Sequence, residues 1–172
     1  VKKLADFVIE NYYPQLKGTD SYLSLFKTVV RTTAITIARW QAQGFSHGVM
    51  NSDNMSILGL TIDYGPFGFM EKYNPSFVCN HSDHQARYSF ERQPTVALWN
   101  LQRLADALSS LIDKDKLTKA LEEYQKFLVQ EYTSLMRRKF GLAEVIKGDS
   151  DLINDFLQLL YSRGQDYSRS MR

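Results

Sequence analysis

Apolar residues recur at spacings of three and four toward both ends of this chain, and that period is absent between Gly44 and Pro94. The pattern dictates the architecture. Amphipathic helices need one another to bury their stripes, and an aperiodic middle must be carried by them. Leu4, Phe7, Val8 and Tyr12 share a helical face over residues 2–12, and Pro14 ends that run. Asp20 or Ser21 offers an N-cap for a long second helix, in which Leu23, Phe26, Val30, Thr33, Ile37 and Trp40 form the stripe before Gly44. Beyond Pro94 the period returns in Val96, Trp99, Leu101, Leu104, Ala105 and Leu108. It continues in Leu117, Leu121, Tyr124, Leu128, Tyr132 and Leu135, ending near Gly141. A last stripe, Leu152, Phe156, Leu159 and Leu160, follows an acidic "GDSD" start. The expected fold class is mainly α. A length of 172 residues suffices for one buried core and is short for two ordinary domains, so residues 1–172 are read as a single domain.

The middle segment carries the polar groups. Within "HGVMNSDNMSILGLTIDYGPFGF", residues 56–63 are short, β-branched and broken by Gly59, which predicts a small hairpin. Asp53 and Asn54 flank it on one side and Asp63 on the other. Residues 64–94 hold Gly65, Pro66, Gly68, Pro75 and Pro94 without a sustained period, which predicts a long ordered loop of the kind that often serves function.

Several function classes are disfavoured at this stage. A net charge of +2 gives no strong field for nucleic acid or a membrane surface, and no apolar run reaches the roughly 18–20 residues of a membrane span. "VKKLADFVIENYY" is amphipathic and lacks the apolar core of a signal peptide. The one cysteine, Cys79, has no internal partner for a disulfide, so a cytoplasmic setting is expected.

The spacing of the polar groups matches the metal site of protein kinases. That site combines a loop H-R-D-x-x-x-x-N with a later D-F-G, whose Asn and Asp hold magnesium. "HGVMNSDN" has the same frame, with His47 and Asn54 at its ends, and "DYG" from Asp63 to Gly65 stands where D-F-G would. The hairpin between them would aim the oxygens of Asn54 and Asp63 at one point, and hard oxygen ligands of this kind suit Mg2+. Val49 occupies the position of the kinase base and cannot accept a proton. The nearest carboxylate is Asp53.

These residues, together with "CNHSDHQARYSFERQPTVALWNLQRLADAL", closely resemble the selenoprotein O family of protein adenylyltransferases. The resemblance runs through essentially the whole chain and is strongest over residues 29–108. It implies a protein-kinase-like fold that binds ATP in a flipped orientation. It also implies transfer of AMP to Ser, Thr or Tyr hydroxyls of other proteins, with release of pyrophosphate. By position, Asp53 matches the family's proposed base, Asn54 and Asp63 match its metal ligands for Mg2+ (or Mn2+), and Asp63 also faces the nucleotide. Two positions depart from the family's pattern: Ser52 stands for the usual Thr, and Ala86 for the usual Gly, which would strain Ala86 if its φ is positive. The family's nucleotide-binding half precedes the matching region, and a segment with Cys or selenocysteine follows it. The chain is therefore expected to be the helical, C-terminal lobe of a kinase-like enzyme, inactive alone, with ATP, protein substrates and the missing N-terminal lobe as partners. A non-catalytic, pseudokinase-like binding module is the alternative, favoured by Val49.

Plainer readings stand beside these. Asp and Asn are common at turns, so spacing alone leaves Asp53, Asn54 and Asp63 open to a structural role. His47 is read as structural, its imidazole holding loop carbonyls. His81, Asp83 and His84 lack a third convergent ligand and are read as ordering the loop or touching substrate rather than holding zinc. Cys79 is read as a buried or half-buried thiol, with redox pairing to a cysteine beyond Arg172 as the alternative. "MRRKF" and "RGQDYSRSMR" read as solvated basic faces, while Arg87 and Arg92 are candidates to dock a target protein or phosphate.

Overall fold

The computed structural model describes residues 1–171. Six helices and one two-stranded antiparallel sheet are present among them: α1 Lys2–Tyr12, α2 Ser21–Gln43, β1 Phe45–Ser46, β2 Gly68–Phe69, α3 Gln93–Leu108, α4 Lys114–Lys139, α5 Asp149–Arg163 and α6 Tyr167–Ser170. Phe45 pairs with Phe69 and Ser46 with Gly68. None of these helices is long and apolar enough to cross a membrane.

The helix ends follow local chemistry. Gly44 closes α2 in the left-handed region at φ 68°, and its amide donates to the carbonyls of Gln41 and Trp40. Asp113 caps α4 by accepting from the amides of Asp115 and Lys116, while Arg137, Arg138 and Lys139 sit at its negative end. Asp20 holds the N-cap position of α2, but at φ 57° its side chain makes no capping bond. It ion-pairs instead with Lys116 at 3.5 Å.

The main core lies between α2 and α4, where Phe26, Val30, Ala34 and Ile37 meet Leu117, Ala120, Tyr124 and Leu128. The Val, Leu, Ile and Phe side chains among these contribute about 1.5–3 kcal/mol each when fully buried. A second cluster joins Ala42, Met70, Phe90 and Met136 to Ile153, Leu157, Leu160 and Tyr167. The Arg137 guanidinium bonds the Asp149 carboxylate at 2.6 Å and ties the end of α4 to the start of α5.

Three expectations need correction. In α1 the buried stripe is Ala5, Val8 and Ile9, while Leu4, Phe7 and Tyr12 are exposed. In α5 it is Ile153, Leu157 and Leu160, leaving Leu152 and Leu159 in solvent. In α1 the contact uses smaller residues that allow closer approach, whereas in α5 the buried face is a neighbouring one of equally large side chains. The hairpin over 56–63 reduces to one bridge, Met55 with Thr61. The sheet lies outside it, at 45–46 and 68–69, so the polar segment sits between the strands rather than on a hairpin. The turn around Gly59 is clamped sideways instead. Thr36 donates to the Gly59 carbonyl at 2.7 Å, the Trp40 indole to Thr61 Oγ1 at 2.9 Å, and the Tyr13 hydroxyl to the Ile57 carbonyl at 2.9 Å. Gly59 has φ +70°, and a Cβ there would stand 2.9 Å from Thr32 Cβ, so α2 dictates glycine at this contact.

Candidate functional site

The loop from Phe45 to Asn54 has almost no regular structure of its own, and side chains from other elements hold its backbone. Gln93, wholly buried at the start of α3, accepts from the His47 amide and donates to the Phe45 carbonyl, each at 2.9 Å. One turn-pair further along, Asn100 donates to the Met50 carbonyl at 2.9 Å. Asn80 donates to the Gly48 carbonyl at 3.2 Å, and the Tyr88 hydroxyl donates to Asn51 Oδ1. Gly48, at φ +83°, has Cys79 Sγ 2.7 Å from where a Cβ would be. These groups answer the demand that buried backbone N–H and C=O be paired where no ladder is available.

His47 is buried against Trp40 and structural, as the sequence suggested. Its Nε2 lies 2.8 Å from the Ile62 carbonyl, and Nδ1 faces the Val49 amide at 3.4 Å. That pattern assigns a neutral imidazole protonated on Nε2. The ring thus ties the residue before Asp63 to the start of the loop.

Asn54 closes a 3-10 turn, Ser52–Asn54, and its amide nitrogen donates to the Val49 carbonyl at 3.1 Å. Only the NH2 of the amide can make that bond, so Oδ1 points elsewhere and has no partner among the described residues. Asp63 is exposed, at φ 56°, with no hydrogen-bond or ion-pair partner for its carboxylate among them. Asp53 is exposed as well, and its carboxylate is equally unengaged among the described residues. The Met55–Thr61 bridge joins the residue after Asn54 to the residue two before Asp63, so the two chain segments that carry these groups meet there. The donor types suit a hard divalent cation that keeps waters and borrows phosphate oxygens. No group of three or more His, Cys, Asp or Glu forms a metal site among the described residues.

Asp83, Cys79 and Arg92 serve the loop. Asp83 accepts from the amides of Arg87 and Tyr88 at 2.9 and 2.8 Å, which is turn-ordering chemistry. Cys79 is half-buried, its thiol 3.4 Å from the carbonyl and hydroxyl oxygens of Ser46. Arg92 reaches the Ala86 carbonyl at 3.3 Å and orders the segment, whereas Arg87 has no ion pair among the described residues. Ala86 does carry a positive φ, 51°.

Sequence reasoning missed Gln93 and Asn100. A signal existed. Both sit on the buried stripe of α3 with Ala97 and Leu101, and an amide on an apolar stripe needs a buried partner.

The family described as "Protein adenylyltransferase SelO" matches residues 1–172. The protein named "Protein nucleotidyltransferase YdiU" from Enterobacter sp. (strain 638) is 57% identical over 173 residues, covering 100% of this chain and 36% of that protein. Its namesakes from Klebsiella pneumoniae strain 342 and from subsp. pneumoniae strain ATCC 700721 / MGH 78578 are 55% and 54% identical with the same coverage. The chain thus spans about a third of the length of these relatives. A match across the whole chain, on the loop just described as well as on the helices that hold it, makes the chain a member of the SelO family.

Proposed function

We propose that this chain is the helical, C-terminal lobe of a kinase-like protein adenylyltransferase, and that Asn54, Asp63 and Asp53 are its working groups. The observation that carries the reading is the pair of unengaged oxygens, Asn54 Oδ1 and the Asp63 carboxylate, on the two chain segments that the Met55–Thr61 bridge joins. Family membership supports the reaction, and the name of the relatives, protein nucleotidyltransferase, supports nucleotidyl transfer to protein. Asn54 and Asp63 would hold Mg2+, or Mn2+ in its place. When bound, the ion would neutralise polyphosphate charge.

The chain's own residues do the rest. Gln93, Asn100 and His47 hold the loop so that its oxygens need not reorganise, which is the main source of electrostatic catalysis. Asp53 orients the acceptor hydroxyl and takes its proton, from a hydrogen-bond distance of roughly 2.6–3.2 Å. The hydroxyl oxygen bonds to the α-phosphorus of ATP as the bond from that phosphorus to the bridging oxygen breaks, and pyrophosphate leaves. The exposed aromatic cluster of Tyr64, Phe67 and Phe69 around Phe45 is where the nucleotide-binding half would pack.

Full-length protein incubated with acceptor protein and either α- or γ-labelled ATP tests this. We expect label from the α position only, and a loss of at least about a hundredfold on Asp63→Ala. Label from γ alone would make it a conventional kinase. Val49 favours a second reading, a binding module without chemistry, which predicts nucleotide binding with no label from either position.

A further inference from the structure

Beside the Asp53 loop lies a feature that the transfer chemistry leaves unused. A cavity of about 260 Å3 opens between α2, α3 and the Met55–Ile57 segment. Val29, Ile57 and Leu101 give it apolar walls, and Ser52, the residue before Asp53, lines it together with Asn100 and Arg103. Asn100 is 6% exposed, and its Oδ1 has no partner among the described residues, which leaves a buried acceptor at the wall. Ligand pockets for whole small molecules run to roughly 300–1,000 Å3, so this one is sized for a single large side chain.

An exposed stack of three side chains borders the cavity. The Arg87 and Arg103 guanidinium carbons each lie 5.4 Å from the ring centre of Trp99, and Arg87 is also 5.4 Å from that of Tyr88. Tyr88 in turn bonds Asn51, so the stack is continuous with the Asp53 loop. Cation–π attraction to an indole restrains a guanidinium while its N–H donors remain available to a planar anion such as a carboxylate. Arg87 has no acidic partner among the described residues, and Arg103 has only the exposed Asp106, at 3.0 Å. Exposed pairs of that kind are worth little and exchange readily.

We infer that this platform docks the acceptor polypeptide, taking a large apolar side chain in the cavity and an acidic residue on Arg87 and Arg103. The inference rests on the reading of Asp53 as the group that meets the hydroxyl, because the platform adjoins it. Charge complementarity selects the partner. Two guanidiniums held over one indole favour a carboxylate, and the Val29, Ile57 and Leu101 walls of a cavity this size favour Leu, Ile, Met or Phe.

The test uses full-length protein and two fluorescent peptides, each with a central Tyr. One has Leu and Glu neighbours, and the other has Ser and Lys in their place. Anisotropy without ATP reads docking, and transfer from α-labelled ATP reads turnover. We expect the Leu/Glu peptide to bind at least tenfold more tightly. The double variant Arg87→Gln/Arg103→Gln should abolish that preference and raise the peptide KM about tenfold, with the KM for ATP within twofold. Both arginines are exposed, so the fold should survive. Equal binding of the two peptides, an unchanged double variant, or tighter binding of a single-stranded oligonucleotide would each overturn the inference. Failure of α-label transfer with the peptide preference intact would sink the adenylyl-transfer reading and leave docking standing.

Discussion

Asp63 and Ala86 both hold a left-handed backbone, at φ 56° and 51°, but for different reasons. Strain of this kind costs a non-glycine residue about 1–2 kcal/mol and persists where the surroundings impose it. At Ala86 the methyl contributes nothing that the structure shows, so Ala86→Gly should raise stability by about 0.5–1 kcal/mol, read as a higher denaturation midpoint. At Asp63 the proposed metal role requires the side chain. Asn tolerates the same backbone region, so Asp63→Asn should leave the midpoint within about 0.5 kcal/mol while removing the AMP transfer proposed for the full-length protein. A parallel loss of both would assign Asp63 a structural role.

Among the elements, α3 does most for the site. Gln93 and Asn100 reach from its buried stripe to three backbone groups of the 45–54 loop. Gln93→Leu leaves the His47 amide and the Phe45 carbonyl without their partner. Each unsatisfied buried group costs about 1–3 kcal/mol, so we expect a loss of about 2–4 kcal/mol in urea denaturation and faster amide exchange at His47. A second joint is the α4–α5 ion pair, where Arg137 and Asp149 are both mostly buried. Arg137→Met strands a buried carboxylate and should cost about 3–5 kcal/mol, whereas exposed pairs such as Lys126–Glu123 should cost next to nothing. Equal effects of the two deletions would contradict that contrast.

At the scale of the whole molecule, burial pushes the phenols of Tyr124, Tyr132 and Tyr167 well above the ordinary tyrosine range. They stay neutral in the folded state, where Tyr124 donates to the Pro94 carbonyl and Tyr167 to the Ala42 carbonyl, each at 3.0 Å. The unfolded chain loses these protons near pH 10, so it binds fewer protons than the native state above that point. Stability should therefore be intact below about pH 10 and fall as pH rises further, by up to about 1.4 kcal/mol per unit for each group. Denaturation midpoints at pH 8 and 11 check the sign. The exposed aromatic cluster at Tyr64, Phe67 and Phe69 has a different consequence. Contiguous apolar surface of this kind drives association, so the 172-residue chain by itself should self-associate in sedimentation, and Phe69→Ser should weaken that.

Element type was written locally. Period and punctuation at Pro14, Gly44 and Pro94 marked the end of α1, the end of α2 and the start of α3, because helix hydrogen bonds and their termination are decided within a few residues. The frame from His47 to Asn54 and on to Asp63 was equally legible, since it is a matter of residue type and spacing. Which face each helix buries was not, as Leu4 and Phe7 show, because closeness of approach depends on the partner helix. Nor was the conversion of a hairpin into one bridge clamped by Thr36, Trp40 and Tyr13. Those bonds join residues far apart in the chain, and only the packed fold sets the distances between them.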